Sequence, residues 1–276
     1  MKCAAILLAT LAVQVYAADD AREIVHRALE AGQKNQEIER DYTYVFRSIS
    51  RILRKDGSVK HIEIRTFDET LSEGTPYDRL IEIDDKPLSP DKERKEQERL
   101  RKSIEERRRE SPEARAKRIA AWDKKREKER AFQKEMLEAM DFRMAGEEPV
   151  AGRPAWIVEA VPHPGYRPKS SDARFLTKCR GKMWIDQATY GPVRIEAEAI
   201  ADISFGGFLA KVHQGSRFVV EETRVNDEVW LPRRVSGRIT ARVLTAQMGA
   251  EFELAYRDYR KFQTESRVLS TDTEGK

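Results

Sequence analysis

The sequence predicts an α+β protein in which antiparallel strands form most of the fold and a long charged helical segment interrupts them. Three observations lead to this prediction. Residues 181–262 show the period-two alternation of half-buried strands, residues 91–140 carry almost no strand pattern, and turn-forming residues separate the strand-like segments. Charged residues make up 36% of the chain and hydrophobic residues 39%, which favours one modest core over two large ones.

The alternation is clearest in two stretches of the late segment. In residues 193–203 the odd positions are apolar and the even positions mostly charged, and in residues 229–243 the odd positions are again mostly apolar. Because successive side chains of a strand point to opposite faces, each stretch predicts a long strand with one buried face. Shorter strand-like runs lie at 182–186, 209–212, 216–225 and 251–256.

The first 17 residues predict a signal peptide. Lys2 supplies a positive start, an apolar run follows to Val15, and Ala17 ends a small-residue cleavage site, which together indicate export to the periplasm. A single membrane anchor is the alternative, although the apolar run is shorter than the ~20 residues needed to span a bilayer. Without this leader, Cys179 is the only cysteine, so no intramolecular disulfide is expected. Its neighbours Lys178 and Arg180 favour the thiolate, yet we expect a structural role.

The chain after the leader predicts a short helix and then strands. The helix starts at Asp19 and ends near Gly32 or a little beyond, and its apolar residues at 24, 25, 28 and 29 share one face. Residues 42–53 and 59–67 predict a hairpin around the pair Asp56-Gly57, and residues 77–83 predict a third strand.

The segment 90–140 is interpreted as a charged helical insertion. Pro90 and Pro112 each follow a serine and precede an acidic residue, so we expect two helices with a break at Pro112. Residues 91–140 contain 18 Lys and Arg against 13 Asp and Glu, a mixture typical of a solvated helix. We expect the first helix to be exposed and the last turns to dock on the sheet. The alternative is a surface for an anionic membrane or an envelope protein, rather than nucleic acid, with these candidates: Arg107, Arg108, Arg109, Lys124, Lys125 and Arg126.

Residues with catalytic or metal-binding chemistry form no recognisable motif. The four histidines are scattered, and we expect no metal, no cofactor and no enzymatic activity. Glu196 and Glu198 share one strand face and could do acid–base chemistry, but ion pairs across strands, with arginines such as Arg234, explain them better. The segment 162–178 predicts a long irregular loop that could carry specificity.

Several passages give the chain a family resemblance. GKMWID at 181–186, VRIEAEA at 193–199, VWLP at 229–232 and PYDRLIEIDDKPLSP at 76–90 resemble the LolA/LolB-like superfamily of outer-membrane lipoprotein carriers, as found in secreted bacterial proteins with a LolA-like region. The resemblance implies a strongly curved, incomplete antiparallel β-barrel whose concave side, covered by helices, receives an acyl chain. Residues 18–276 would then form a single LolA-like domain interrupted at 90–140.

The resemblance also implies a function and a candidate ligand cavity. We expect a non-enzymatic periplasmic protein that binds a lipid or lipoprotein acyl chain. The alternative is an envelope scaffold that works through the charged helices and fills its barrel with its own side chains. Apolar residues on one face of the late strands would line the cavity, although each of them could instead pack in the core. These residues are Val193, Ile195, Val229, Leu231, Val235, Ile239, Phe252 and Leu254.

Overall fold

The computed structural model describes residues 18–170, 172–205, 210–244 and 246–262, with only the backbone given for six of them. The predicted signal peptide, residues 1–17, lies outside this range. Helices and strands follow in the order α1 Ala18–Glu39, β1 Tyr42–Leu53, β2 Val59–Ser72, β3 Thr75–Ile83, β4 Lys86–Pro87, α2 Pro90–Arg108, α3 Pro112–Ala139, β5 Met140–Val150, β6 Arg153–Pro162, a 3₁₀ helix Asp172–Lys178, β7 Cys179–Asp186, β8 Pro192–Ala199, β9 Ile203–Phe205, β10 Ala210–Val212, β11 Arg217–Val225, β12 Val229–Val243 and β13 Ala246–Lys261.

All strands belong to one antiparallel sheet. Its order is β4-β3-β2-β1-β13-β12-β11-β8-β7-β6-β5, and β9 and β10 extend it beside β12. Since β4 and β5 do not pair with each other, the sheet stays open, as an incomplete barrel requires. The fold class predicted from the sequence is therefore confirmed: an α+β protein with an open antiparallel sheet, covering helices and a helical insertion.

Two predicted boundaries are wrong. Helix α1 continues past Gly32 to Glu39, because the polar residues that follow have good helix propensity and Ile38 packs on a buried cluster around Tyr42. The long strand predicted at 193–203 is split, since β8 ends at Ala199 and the chain turns before β9 begins.

The insertion forms two helices separated at Pro112, as predicted. The hydroxyl of Ser111 caps α3 by accepting a hydrogen bond from the Ala114 amide at 3.2 Å. Helix α2 is less free than expected, because its buried Glu96 accepts hydrogen bonds from the Leu80 amide and the Tyr77 hydroxyl, both at 3.3 Å. These hydrogen bonds hold α2 against β3.

The end of α3 docks on the sheet, as predicted. Ala139 and Met140 are buried in the largest hydrophobic cluster, and Phe132 and Met136 pack against it. The last turns of α3 therefore become part of the core.

The segment 162–178 is more ordered than the predicted loop. Its second half is the 3₁₀ helix, in which Ala173 and Leu176 are buried. The buried Glu135 of α3 accepts hydrogen bonds from the Tyr166 hydroxyl and the Lys169 amide, each at 2.6 Å. These contacts hold the segment against the helix.

A bulge in β12 changes the side-chain parity that the sequence implies. Glu221 pairs with Arg234 and Glu222 with Pro232, which leaves Arg233 as an extra residue. Val235 is consequently paired with Val220, while Leu231 is paired with Thr223. Since residues 220 and 223 point to opposite faces of β11, the two halves of the apolar stripe in β12 face opposite sides.

A second bulge acts in the same way on β8. Ile185 pairs with Pro192 and Trp184 with Arg194, so Val193 is the extra residue. Val193 packs with Trp184 on the face opposite to that of Ile185 and Ile195.

A buried carboxylate fixes one corner of the sheet. The Asp186 side chain is 1% exposed, and its carboxylate accepts two hydrogen bonds from the Arg153 guanidinium, at 2.7 and 3.1 Å. It also accepts hydrogen bonds from the amide and the hydroxyl of Thr189, at 2.8 and 2.7 Å. Burial alone would raise the pKa of Asp186, but the hydrogen bonds from Arg153 and Thr189 outweigh it and lower the pKa. The indole of Trp230 donates to the same Thr189 hydroxyl at 3.1 Å, so this corner also positions β12.

Substitution of Asp186 tests this corner. We expect Asp186→Asn to lower the free energy of unfolding by about 3 kcal/mol at neutral pH, because Arg153 loses its buried partner. A carboxyl with a lowered native pKa stabilises the fold above its unfolded pKa of about 3.9, so the effect should shrink as the pH falls below that value. Urea unfolding followed by circular dichroism measures both.

The matched control is Glu159→Gln, which removes the exposed pair between Glu159 and Arg143 on neighbouring strands. It should change the free energy of unfolding by less than about 1 kcal/mol. Equal effects of the two substitutions would contradict the role given to Asp186.

Candidate functional site

A chamber lies between the covering helices and the concave face of the sheet. Its volume is about 380 Å³, within the range of small-molecule sites, and its walls are mainly apolar. Helices α1 and α3 form one wall, and strands β7, β8 and β11 with the 3₁₀ helix form the other. We call it the inner chamber, and its apolar lining includes Val25, Ala28, Leu29, Phe132, Met136, Leu176, Met183, Ile185, Ile195, Phe218 and Val220.

Helix α1 is held in place by both polar and stacking contacts. The amide of Asn35 donates to the Trp230 carbonyl at 2.8 Å and accepts from the Trp230 amide at 2.6 Å. Nearer its start, the guanidinium of Arg27 stacks on the ring of Tyr190 at 3.9 Å. The wall that α1 provides is therefore anchored at two points along its length.

The seam between α1 and α3 is closed by charged and polar groups. Arg130 of α3 donates to Gln36 at 3.0 Å and to Glu37 at 2.5 Å, both on α1. The hydrogen bond and charge of Arg130 lower the pKa of Glu37.

Two further cavities adjoin the inner chamber. An apolar one of about 210 Å³ shares Phe175, Ala197 and Phe218 with it, and we call this cavity the annex. A polar one of about 600 Å³ shares Gln36 and Glu39 with it, and we call this cavity the outer chamber. The inner chamber thus lies between the apolar annex and the polar outer chamber and shares lining residues with each.

Three glutamates line the inner chamber: Glu39 on α1, and Glu196 and Glu222 on the sheet wall. Glu196 pairs with Arg194 at 2.5 Å, so Glu222 is the remaining carboxyl of the sheet wall. Glu222 is half-buried there, and no described residue donates a hydrogen bond to it or forms an ion pair with it. Burial and then the charge of Glu39 raise the pKa of Glu222 to about 8. Its neighbour Glu221 points to the opposite face, where it pairs with Arg194 at 3.3 Å and Arg233 at 3.0 Å.

The outer chamber contains further carboxyls beside aromatic rings. Burial and then the charge of Asp78 raise the pKa of Glu69 to about 7, and burial raises that of Asp78. Tyr44, which hydrogen-bonds to Glu69, packs edge-on against Tyr256 with 5.1 Å between ring centres. This end of the concave face is acidic and aromatic.

The eight predicted cavity residues separate into groups. Ile195 lines the inner chamber, while Ile239 and Phe252 line the annex. Val235 and Leu254 are paired with each other on that same face, but line neither cavity. The remaining three are core residues elsewhere, because the two bulges move them off this face: Val193, Val229 and Leu231.

The predicted basic surface is partly used within the protein. Arg107 donates to the backbone carbonyls of the β2–β3 turn at 2.8 to 3.2 Å, and Arg108 pairs with Glu73 at 3.2 Å. Arg109 and Lys124 are exposed. The side chains of Lys125 and Arg126 lie outside the described part of the structure.

The described residues offer little else for catalysis. Burial raises the pKa of the Cys179 thiol to about 12, which outweighs its basic neighbours. Glu198 pairs with Arg180 and Arg217 at 2.7 and 2.8 Å, across strands as expected but with other partners than Arg234. Within residues 18–262, outside the gaps, no three His, Cys, Asp or Glu side chains could hold a metal together.

The part of the chain that the structure describes contains no helix long and apolar enough to cross a bilayer.

Sequence reasoning found the apolar faces of α1 and late α3 but missed the polar residues of the inner chamber. The sequence does contain a signal: Phe218, Val220 and Glu222 are every second residue of β11 and therefore lie on the same face of the sheet. A glutamate that follows apolar residues on the same face of a strand is the pattern that would have indicated Glu222.

The fold and its cavities define an open antiparallel half-barrel covered by helices, and solved structures of similar outline exist. A Vibrio parahaemolyticus domain that carries the name of an outer membrane lipoprotein-sorting protein is 13% identical, with a TM-score of 0.36 over 87% of this chain and 94% of its own. A DUF1329 family protein from Desulfovibrio piger is 12% identical, with a TM-score of 0.33 over 90% and 95% of the two chains. A LolA superfamily protein from Nitrosomonas europaea is 10% identical, with a TM-score of 0.30 over 91% and 98%.

No protein family and no curated protein matches the sequence of the chain. At these identities and TM-scores the likeness carries no argument about function, which has to come from the chambers themselves.

The pKa of Glu222 leads to a test of its environment. Between the unfolded pKa of about 4.3 and the native value of about 8, the folded state holds a proton that the unfolded state has lost. The free energy of unfolding should therefore fall as the pH rises through this window, by at most about 1.4 kcal/mol per pH unit. Glu222→Gln should remove the contribution of Glu222 to this slope and leave that of Glu69, whose pKa is raised to about 7. It should raise the melting temperature more at pH 8 than at pH 5.

The adjacent Glu221→Gln substitution is the control, since Glu221 is ion-paired on the opposite face. It should leave the pH slope unchanged. A slope in Glu222→Gln as steep as that of the unmodified protein would contradict the assignment of Glu222 to the inner chamber.

Proposed function

We propose that the chain is a non-enzymatic protein of the cell envelope that binds the acyl chain of a lipid or lipoprotein in the inner chamber. The observation that carries this proposal is the apolar cavity itself, about 380 Å³ between α1, α3 and the sheet, with the annex continuing it. The predicted signal peptide supports a periplasmic location, where such ligands occur.

The composition of the walls supports an apolar ligand. Water in a cavity of this kind finds few hydrogen-bond partners, so filling it with hydrocarbon removes both the unfavourable water and the exposed apolar wall. The walls are also held by fixed contacts, since Asn35 anchors α1 and Glu135 anchors the 3₁₀ segment. A preformed apolar site binds without the cost of ordering its own walls.

Extraction is the direct experiment. Protein purified without detergent should release lipid or fatty acyl species into organic solvent in near-stoichiometric amount, as identified by mass spectrometry. An empty extract, together with no binding of an apolar fluorescent probe, would contradict the proposal.

Filling the chamber should weaken probe binding. Ala28 lies on α1 and lines the inner chamber, so Ala28→Phe should weaken the binding of N-phenyl-1-naphthylamine by about ten-fold or more, equivalent to about 1.4 kcal/mol. Overpacking costs roughly 1–3 kcal/mol, so thermal melting must show that the variant is folded. The fluorescence of the probe on titration reports its affinity.

Ala121→Phe is the matched control, because Ala121 is exposed on α3. It should bind the probe as the unmodified protein does. Equal binding by Ala28→Phe would place the probe outside the inner chamber.

A second candidate function is contact with an anionic membrane or envelope protein through the charged helices. Two exposed cations favour it: the Arg109 side chain is 82% exposed with its nearest carboxylate 3.9 Å away, and Lys124 is exposed on α3. Arg107 and Arg108 already bind groups of the β2–β3 turn. The surface that we propose therefore consists of Arg109 and Lys124, together with Lys125 and Arg126, which follow Lys124 in the sequence.

Charge reversal tests this surface. Each basic residue near an anionic membrane contributes about 1 kcal/mol, so Arg109→Glu with Lys124→Glu should weaken sedimentation with phosphatidylglycerol vesicles by about ten-fold or more. The double variant Lys55→Glu with Lys60→Glu makes the same change in net charge on the exposed β1–β2 hairpin and should have a smaller effect. Equal losses would point to net charge rather than to this surface.

A further inference from the structure

The inner chamber contains two hydrogen-bond acceptors that no described residue satisfies. Glu222 lies on the sheet wall, and Gln133 lies on the α3 wall. The Oε1 atom of Gln133 is buried and has no hydrogen-bond partner in the described structure. An acceptor buried without a donor costs free energy, so a ligand that brings donors recovers what the protein leaves unmade.

The charges around the chamber have one predominant sign. Glu39 of α1 faces Glu222, and Glu69 and Asp78 follow in the outer chamber. Three cations border the outer chamber, and each is engaged by another group. Arg40 pairs with Glu37 at 3.5 Å. Arg118 donates to Glu110 at 2.9 Å, and Arg107 donates to backbone carbonyls.

We propose that the inner chamber binds an amphiphile with a primary ammonium head, whose N–H groups bond to Glu222 and Gln133 while its chain lies among the apolar residues of the chamber and annex. An ammonium group suits this site for two reasons. It brings three donors and no acceptor, and its charge compensates a carboxylate that the protein leaves without a cation. This inference rests on the proposed function and narrows it from any apolar chain to a cationic amphiphile.

The raised pKa of Glu222 is in line with this assignment. Burial and Glu39 disfavour the ionised carboxylate, and no described residue forms an ion pair with Glu222 itself. A bound ammonium group would supply that charge. A neutral hydroxyl head of the same chain length would not, which separates the contribution of the head from that of the chain.

The experiment compares two ligands that differ only in the head group. Dodecylamine and dodecanol are titrated at about pH 9, where Glu222 is mostly ionised and the alkylammonium still charged, against protein loaded with N-phenyl-1-naphthylamine, whose displacement reports affinity. A charge-assisted hydrogen bond predicts that dodecylamine binds about ten-fold tighter or more than dodecanol. In Glu222→Gln the two ligands should differ by less than about three-fold, because the carboxylate charge is gone.

Glu221→Gln is the control, since it removes a carboxylate one residue away on the other face. It should retain the full preference for dodecylamine. No preference in the unmodified protein, or a preference that survives Glu222→Gln, would overturn this inference and leave the proposed function standing. If neither dodecanol nor the probe binds, the proposed function fails and this inference fails with it.

Discussion

The position of α1 across the concave face is the constraint on which the interior depends. Strand β12 pairs with β13 only from Arg234 onward, so the backbone of Trp230 has no strand beside it on that side. Asn35 takes the place of that strand by bonding to both the amide and the carbonyl of Trp230. A helix therefore completes the sheet where a strand is missing, and its apolar face is turned toward the sheet by the same contact. The inner chamber exists because helix and sheet meet at this edge.

Most of the elements could be predicted because their residues obey simple periodicities. Strand β1 has the predicted bounds, and the helix break occurs at Pro112, since alternation and proline act locally. The bulges at Val193 and Arg233 could not be predicted, because an extra residue leaves the composition of a strand unchanged while moving its side chains to the other face. Ile195 therefore lines the inner chamber, whereas Val193 lies on the other face of the sheet.

The polar part of the site shows the same limit more sharply. Glu221 and Glu222 are identical residues in neighbouring positions, and the sequence shows only that they point to opposite faces. Which of them is inside depends on β8, which presents Arg194 to Glu221 and Ile195 to the face of Glu222. Gln133 is similar, because its helix position is clear from the pattern while its lack of a partner depends on the tertiary structure. Interior polar residues are defined by their neighbours in space.

For a ligand bound as proposed, the apolar walls and the polar contacts between α1 and α3 would affect different quantities. The walls would determine the affinity, and the contacts would influence the rate of exchange. The chamber walls are apolar and would set the affinity, whereas the seam is closed by Arg130 with Gln36 and Glu37, whose side chains are accessible to water. Such contacts are weak individually and are screened by salt, while apolar walls are not. Opening this seam breaks polar contacts and leaves the buried core intact. For a ligand bound as proposed, ionic strength would thus change the residence time without changing the equilibrium occupancy to the same degree.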